Sequence, residues 1–268
     1  MEKYAILTDE FKSGLKSFQI PKNVGILVHG STASMGIDPR DAKSVLDNLL
    51  DLTGMLMMPT FSRNTLIIPE EGPEDNAIIY GSGRESNLQA IIYNSSTPVD
   101  HFVGDLAEKF RQMPGIVRSN HPVYSFSGIN MKDIILCQTI KRPYDSIARL
   151  AQLSGWVILL GVDHTQNFSI HYAETLVGRK QFKRWALTEN GIVECLRFPG
   201  CNKGFGAVEK GLEKITLQFE FNNHLIRAFP LSDMIAETSI MISKDPLALL
   251  CNDDGCLCCD EIRKSVFQ

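Results

Sequence analysis

The sequence predicts an α/β fold, a single domain with a central mixed sheet flanked by helices. Three observations predict it. An apolar run, Val24 to His29 (VGILVH), is followed by a Ser/Thr/Gly loop, a helix signal and a second apolar run, Met55 to Met58, which together make a βαβ unit. The strongest strand signal, Trp156 to Gly161 (WVILLG), leads through a loop into another helix signal. No internal repeat and no low-complexity linker divides the 268 residues, so residues 1–268 read as one domain.

The elements follow in order. Val24 to His29 is continuously apolar, as in a strand buried on both faces. Asp38 then Pro39 is a helix start, and Val45, Leu46, Leu49, Leu50 and Leu52 carry that helix to Gly54. Met55 to Met58 is a strand closed by Pro59. From Thr60 to Thr97 periodicity lapses around an acidic Pro/Gly stretch (Pro69 to Asn76), which predicts a long functional loop. A helix over Asp105 to Gln112, a loop over Met113 to Pro122, a strand over Val123 to Phe126 and a helix near Ser146 to Leu153 precede the WVILLG strand. A helix from about Ser169 to Val177 follows it. Asn190-Gly191 marks a hairpin. A second β pair is expected near Ile215 to Phe221 and Leu225 to Phe229, then a last helix from Ser232 and a Cys-rich tail over 251–259.

Composition narrows the function classes. The 27 basic and 31 acidic side chains, with a pI near 5.9, leave no basic excess for phosphate-backbone binding, so no nucleic acid partner is expected. The start MEKYAILTDEFKSG lacks an apolar core, and no apolar run reaches 18 residues, so a cytoplasmic protein without membrane attachment is expected. Seven cysteines, an odd count without a secretory signal, read as reduced thiols. Phosphate loops of the G-x-x-x-x-G-K-S/T type, G-x-G-x-x-G, H-E-x-x-H and G-x-S-x-G are all absent.

Three constellations remain. His171 and Glu174 stand at i, i+3 on one helix face just after the strongest strand, where α/β sheets place ligands. A carboxylate on one ring nitrogen would make the other a general base. The alternative is a glutamate that complements the helix dipole beside a satisfied histidine. The loop His29 to Gly36 (HGSTASMG) offers N–H and hydroxyl donors at a helix start, suited to an anionic group such as a cofactor diphosphate; equally, it is a capped loop. Arg118 and Ser119, before the predicted strand, suit phosphate or a plain surface arginine.

Read in order, LVHGSTASMG (Leu27 to Gly36), MMPTFS (Met57 to Ser62), STPVDHFVGDLAEKFRQMPGIVRSNHPVYSF (Ser96 to Phe126) and LLGVDHTQNFSIHYAE (Leu159 to Glu174) resemble the motifs of the aminoglycoside 3-N-acetyltransferase family. The resemblance runs from about Val24 to Glu174, with a looser fit through the tail. It implies an α/β acyltransferase unrelated to the GNAT fold, an antibiotic-resistance activity, and direct acetyl transfer from acetyl-CoA to an amine at position 3 of 2-deoxystreptamine or on a related small molecule. His171 would be the base and Glu174 its orienting partner. His29, Ser31, Thr32, Arg118, Ser119 and Ser125 would contact CoA. By charge alone, the acidic run Glu70, Glu71, Glu74 and Asp75, along with Asp163, could attract a polycationic acceptor; equally, it is a solvated acidic loop.

Two departures weigh on that reading. Phe168 stands where family members commonly carry a threonine three residues before the histidine, and Thr165 where an aspartate is frequent. A catalytically weakened CoA-binding homologue, and an acetyltransferase for a different amine, are therefore kept as alternatives. His164 is the alternative base; His101 and His224 have no partner motif. In the tail, Cys251, Cys256 and Cys259 have metal-compatible spacing, with Cys201 or Cys258 as a fourth ligand. Reduced thiols are favoured there over zinc, no metal ligand is assigned, and a zinc-stabilised interaction module is the third functional class.

Overall fold

The structure, a computed structural model, describes residues 2–267. It opens with α1 (Glu2–Ser17), which the sequence reading did not assign; Phe11 and Leu15, four apart, are its buried face. β1 (Ile26–Gly30) is the first expected strand. Asp38 caps a 3₁₀ turn by accepting from Arg40 N at 2.9 Å, and α2 (Ala42–Thr53) runs on to Gly54. β2 (Leu56–Pro59) completes the βαβ unit.

The segment 60–97 is less irregular than expected. It contains β3 (Leu66–Ile67) and α3 (Arg84–Gln89). After α4 (Asp105–Arg111) and β4 (Val117–Arg118), the expected strand over Val123 to Phe126 is displaced: β5 spans Phe126–Ile129. The cause is local, because Val123 and Tyr124 give their N–H groups to His121 Nδ1 at 3.2 and 3.0 Å, and the ladder to β2 opens only at Phe126. The chain continues through α5 (Lys132–Ile135), α6 (Asp145–Gln152), β6 (Trp156–Leu160) and α7 (Ile170–Leu176). β7 (Phe182–Thr188) and β8 (Gly191–Phe198) form the predicted hairpin. Then come α8 (Glu209–Leu212), β9 (Leu217–Phe221), β10 (His224–Pro230), α9 (Leu231–Lys244) and α10 (Leu257–Val266), a helix the tail did not announce.

The main sheet has the order β4-β5-β2-β1-β6-β10-β9, and β3-β7-β8 form a second, smaller sheet. β1 runs parallel to β2 and β6 and the remaining pairs are antiparallel, so the sheet is mixed as predicted. Its central strands serve two cores by alternation. Ile26, Val28, Ile158 and Leu160 face a layer with Leu15, Leu46, Leu49 and Phe110. Leu27, Val157 and Leu159 face the opposite layer with Ile147, Leu150 and Phe229. Among the described residues, no helix is long and apolar enough to cross a membrane.

Candidate active site

The site lies beyond the carboxyl ends of β1 and β6, where parallel neighbours leave a crevice. Two glycines bring the loops that follow these strands into contact. Gly30 has φ +135°, and a Cβ there would lie 2.6 Å from the Leu160 carbonyl oxygen; Gly161 has φ +65°, and a Cβ there would meet Ser34 O at 1.9 Å. Ser34 Oγ donates to Leu160 O at 2.6 Å and so ties the first loop to the end of β6.

From Gly161 the chain passes a 3₁₀ turn, His164–Gln166, capped by Asp163, whose Oδ1 accepts from Thr165 N at 2.8 Å. Asn167 Oδ1 then accepts from Ser169 Oγ at 2.9 Å, and α7 starts with His171 in its first turn. His171 Nδ1 lies 2.7 Å from Glu174 Oε2, and both side chains are buried. The other carboxylate oxygen accepts from Arg179 Nη1 at 2.8 Å, while Arg179 Nη2 donates to the carbonyls of Pro246 and Ala248. Burial alone would raise the Glu174 pKa; the His171 hydrogen bond, followed by the charges of His171 and Arg179, outweighs it and holds the carboxyl below its ordinary value. An ionised Glu174 fixes the proton of a neutral His171 on Nδ1 and leaves Nε2 as an acceptor.

His171 lines a cavity of about 400 Å³ with Phe61, Phe168, Arg184, Phe198 and Cys201. A second cavity, about 240 Å³, is lined by His29, Gly30, Ser31 and Val162. The two share Phe61, Phe102 and Gln166, so together they form one cleft from the β1 loop to the α7 base. A larger hollow of about 860 Å³ on the outer side, lined by Arg142, Tyr172 and Arg197 among others, does not include His171. Among the described residues, no aspartate or glutamate lines either cleft cavity, whereas Arg63, Arg184 and Lys203, the last paired with Asp253 at 2.6 Å, line the first.

The expected CoA contacts divide. His29 and Ser31 line the cleft. Burial, then the neighbouring His164, pushes His29 down to about 3, so it is neutral, and its Nε2 has no hydrogen-bond partner among the described residues. Thr32 is fully buried, with its N–H and hydroxyl both on Asp105. Arg118 is half-buried and tied to the protein: Nε donates to Ser125 Oγ at 3.0 Å, Nη1 to the carbonyls of Thr97 and Ser95, and Nη2 to Thr60 O at 2.6 Å and Ser62 Oγ at 2.8 Å. Ser119 is equally occupied, by Gln138 and Phe126 N. These partners occupy the donors of the half-buried guanidinium, and Arg118, Ser119, Ser125 and Thr32 line neither cleft cavity.

The acidic candidates are also elsewhere. Glu70 and Glu71 are exposed outside both cavities, Asp75 pairs with Lys180 at 2.6 Å, and Asp163 serves as the turn cap. His164 stacks on Phe229 with 5.4 Å between ring centroids and lines neither cavity. Phe168 does reach the site, 5.2 Å from the His171 ring and in contact with Phe61 and Tyr124 at 4.7 and 4.8 Å between centroids. Sequence reasoning missed Arg179, Phe102, Gln166 and Arg184.

The family model described as aminoglycoside 3-N-acetyltransferase matches residues 27–242. The SPbeta prophage-derived aminoglycoside N(3')-acetyltransferase-like protein YokD of Bacillus subtilis is 32% identical over 173 residues, 60% of this chain and 61% of that protein. Aminoglycoside N(3)-acetyltransferase IV of Salmonella sp is 27% identical over 173 residues, 60% of this chain and 66% of that enzyme. Both alignments therefore span less than two thirds of the relative's length. Among solved structures, the apoenzyme of aminoglycoside acetyltransferase AAC(3)-IVa superposes with a TM-score of 0.77 at 22% identity, over 96% of this chain and 97% of that one. A mutant of that enzyme has been crystallised with a gentamicin. AAC-IIIb, solved as its binary complex with CoASH, gives a TM-score of 0.70 at 14% identity, over 88% and 96%. At these identities the structural likeness establishes the fold.

Proposed function

The chain belongs to the aminoglycoside 3-N-acetyltransferase family, and from that premise we propose that it transfers acetyl from acetyl-CoA directly to an amino group of an aminoglycoside or a related small amine, conferring resistance where the acceptor is an antibiotic. The observation that carries this reading is the buried His171–Glu174–Arg179 relay, which presents His171 to the cleft. A relative that binds gentamicin and another that binds CoASH support the substrate classes.

Acetyl-CoA would supply the activated thioester. The residues present fit it, because the Gly30–Ser31 loop lies open to the cleft and the orphaned His29 Nε2 offers a hydrogen bond to a bound amide or carbonyl. As the acceptor nitrogen forms the new C–N bond and the C–S bond breaks, His171 Nε2 takes the amine proton and passes it to the departing thiolate. Glu174 stabilises the imidazolium formed in between. No acyl-enzyme is required. The side-chain amide of the exposed Gln166, which lines both parts of the cleft, is the neutral donor available for the developing oxyanion.

One observation favours a narrower acceptor. With no carboxylate among the described residues that line the cleft and Arg63 and Arg184 beside it, a multiply cationic aminoglycoside meets more repulsion than a singly charged mono-amine. A thiol-release assay with acetyl-CoA across 2-deoxystreptamine antibiotics, polyamines and mono-amines tests both levels. Turnover with any amine supports the transferase, and a preference for mono-amines the narrower acceptor. CoA binding without transfer to any of them would instead mark a weakened homologue.

A further inference from the structure

The tail cysteines are not used by the proposed chemistry. The structure brings four of them together from three segments: Cys201 from the loop after β8, Cys251 from the segment after α9, and Cys256 and Cys259 from the start of α10. Their four Sγ atoms lie within 4.8 Å of one another, and those of Cys251 and Cys259 are 3.5 Å apart. A tetrahedral zinc with Zn–S bonds of about 2.3 Å holds its sulfurs roughly 3.8 Å apart. The cluster therefore needs a contraction of about an ångström at most.

We propose that Cys201, Cys251, Cys256 and Cys259 bind one structural zinc ion as a closed tetrathiolate site. Cys256 and Cys259 form a C-x-x-C pair across the first turn of α10, whose N-terminal dipole favours thiolates. The sulfur of Cys201 accepts the Lys203 N–H at 3.4 Å, and Arg263 holds the Cys251 carbonyl, so the ligands have supporting partners. Binding replaces four thiol protons with one divalent cation, releases those protons and leaves a site of net charge −2 with no open position. Its role is therefore to fix structure. Cys258, the alternative fourth ligand in the sequence, lines the cleft cavity instead. Cys201 also lines that cavity, within the Phe198–Lys203 wall. The zinc would thus tie α10 and the 245–256 segment to one wall of the cleft.

The test is metal analysis of the purified full chain, which needs no acetyl transfer. One zinc per chain is expected by mass spectrometry of the metal. Exchange for cobalt should give the intense thiolate charge-transfer absorption of a tetrahedral sulfur site. Cys256→Ser and Cys259→Ser should weaken metal affinity at least about tenfold, while Cys258→Ser and Cys137→Ser keep full stoichiometry. Wild-type protein that neither retains zinc nor takes up cobalt, or that shows disulfides among these four cysteines after non-reducing alkylation, would overturn the proposal. Loss of metal in Cys258→Ser would overturn the ligand set.

Discussion

His171 and Arg179 hold the two oxygens of one buried carboxylate: Nδ1 of His171 lies 2.7 Å from Glu174 Oε2, and Nη1 of Arg179 lies 2.8 Å from Oε1. The arginine is anchored on the carbonyls of Pro246 and Ala248, so the position of the base is set partly by a segment some 70 residues downstream. In the proposed reaction Glu174 is therefore a positioning residue and His171 the group that would meet substrate.

His171→Ala should lower kcat roughly 10²- to 10⁴-fold, the usual size of a general-base contribution, with acetyl-CoA affinity nearly intact. Glu174→Gln should cost less, since it keeps a hydrogen-bonding side chain but not the charge. Steady-state kinetics of both variants beside acetyl-CoA binding check this; a His171→Ala enzyme that keeps most of its turnover would place the base elsewhere.

Arg179→Met removes one partner from a buried carboxylate and is expected to destabilise the fold by about 3–5 kcal/mol. It also removes a charge that keeps Glu174 ionised, so the Glu174 pKa should rise and the active pH range should narrow from its acid side. Chemical denaturation together with a pH–rate profile checks both. An unchanged profile would mean that Arg179 serves folding alone.

Stability should fall steadily as pH drops below the ordinary histidine range. Burial, followed by His164, takes His29 down to about 3; burial takes His121 down to about 3, and His164, with Glu209 and Arg227 nearby, to about 4. The unfolded chain protonates these imidazoles near 6.5, so between about 6.5 and 3 it binds more protons than the native state, and acid favours unfolding. The slope is at most about 1.4 kcal/mol per pH unit for each histidine. His121→Asn, which keeps an acceptor for the Val123 and Tyr124 amides, should flatten it. Denaturant midpoints measured across this range decide the matter.

The legible parts of this molecule are those whose cause is local. Strands β1 and β6 are buried on both faces, so their apolar runs stand out, and the spacing of His171 and Glu174 predicts their hydrogen bond from helix geometry alone. Arg179 was hidden because its value depends on carbonyls at 246 and 248 that no local pattern announces. The setting of Arg118 was hidden for the same reason: nothing in RSNHP reveals that carbonyls at 60, 95 and 97 take its donors. The late start of β5 follows from a histidine side chain that takes two backbone amides, a competition invisible to periodicity.

Phe168→Thr should shift acceptor preference toward aminoglycosides. The ring packs between Phe61, Tyr124 and the edge of His171, so its removal opens the cavity at the base and places a hydroxyl where family members commonly have one. The lost packing should cost about 2–4 kcal/mol. Competition between a 2-deoxystreptamine antibiotic and a mono-amine, read as the ratio of kcat/KM values, tests it; an unmoved ratio would mean that Phe168 does not set acceptor choice.

Gly161→Ala tests the contact that forms the crevice. Its φ of +65° is the left-handed region that disfavours a side chain, and the added Cβ would lie 1.9 Å from the Ser34 carbonyl oxygen, a backbone atom that no rotamer change can move. The loop after β1 must therefore shift away from the end of β6, where Ser34 Oγ now bonds Leu160 O at 2.6 Å. The strain in φ alone is worth about 1–3 kcal/mol. Because Ser31 lies on the displaced loop while His171 is carried by α7, the expected result is a raised KM for acetyl-CoA with a smaller change in kcat. Equal losses in both, at a lowered melting temperature, would instead show that the two loops and the α7 base move as one rigid unit.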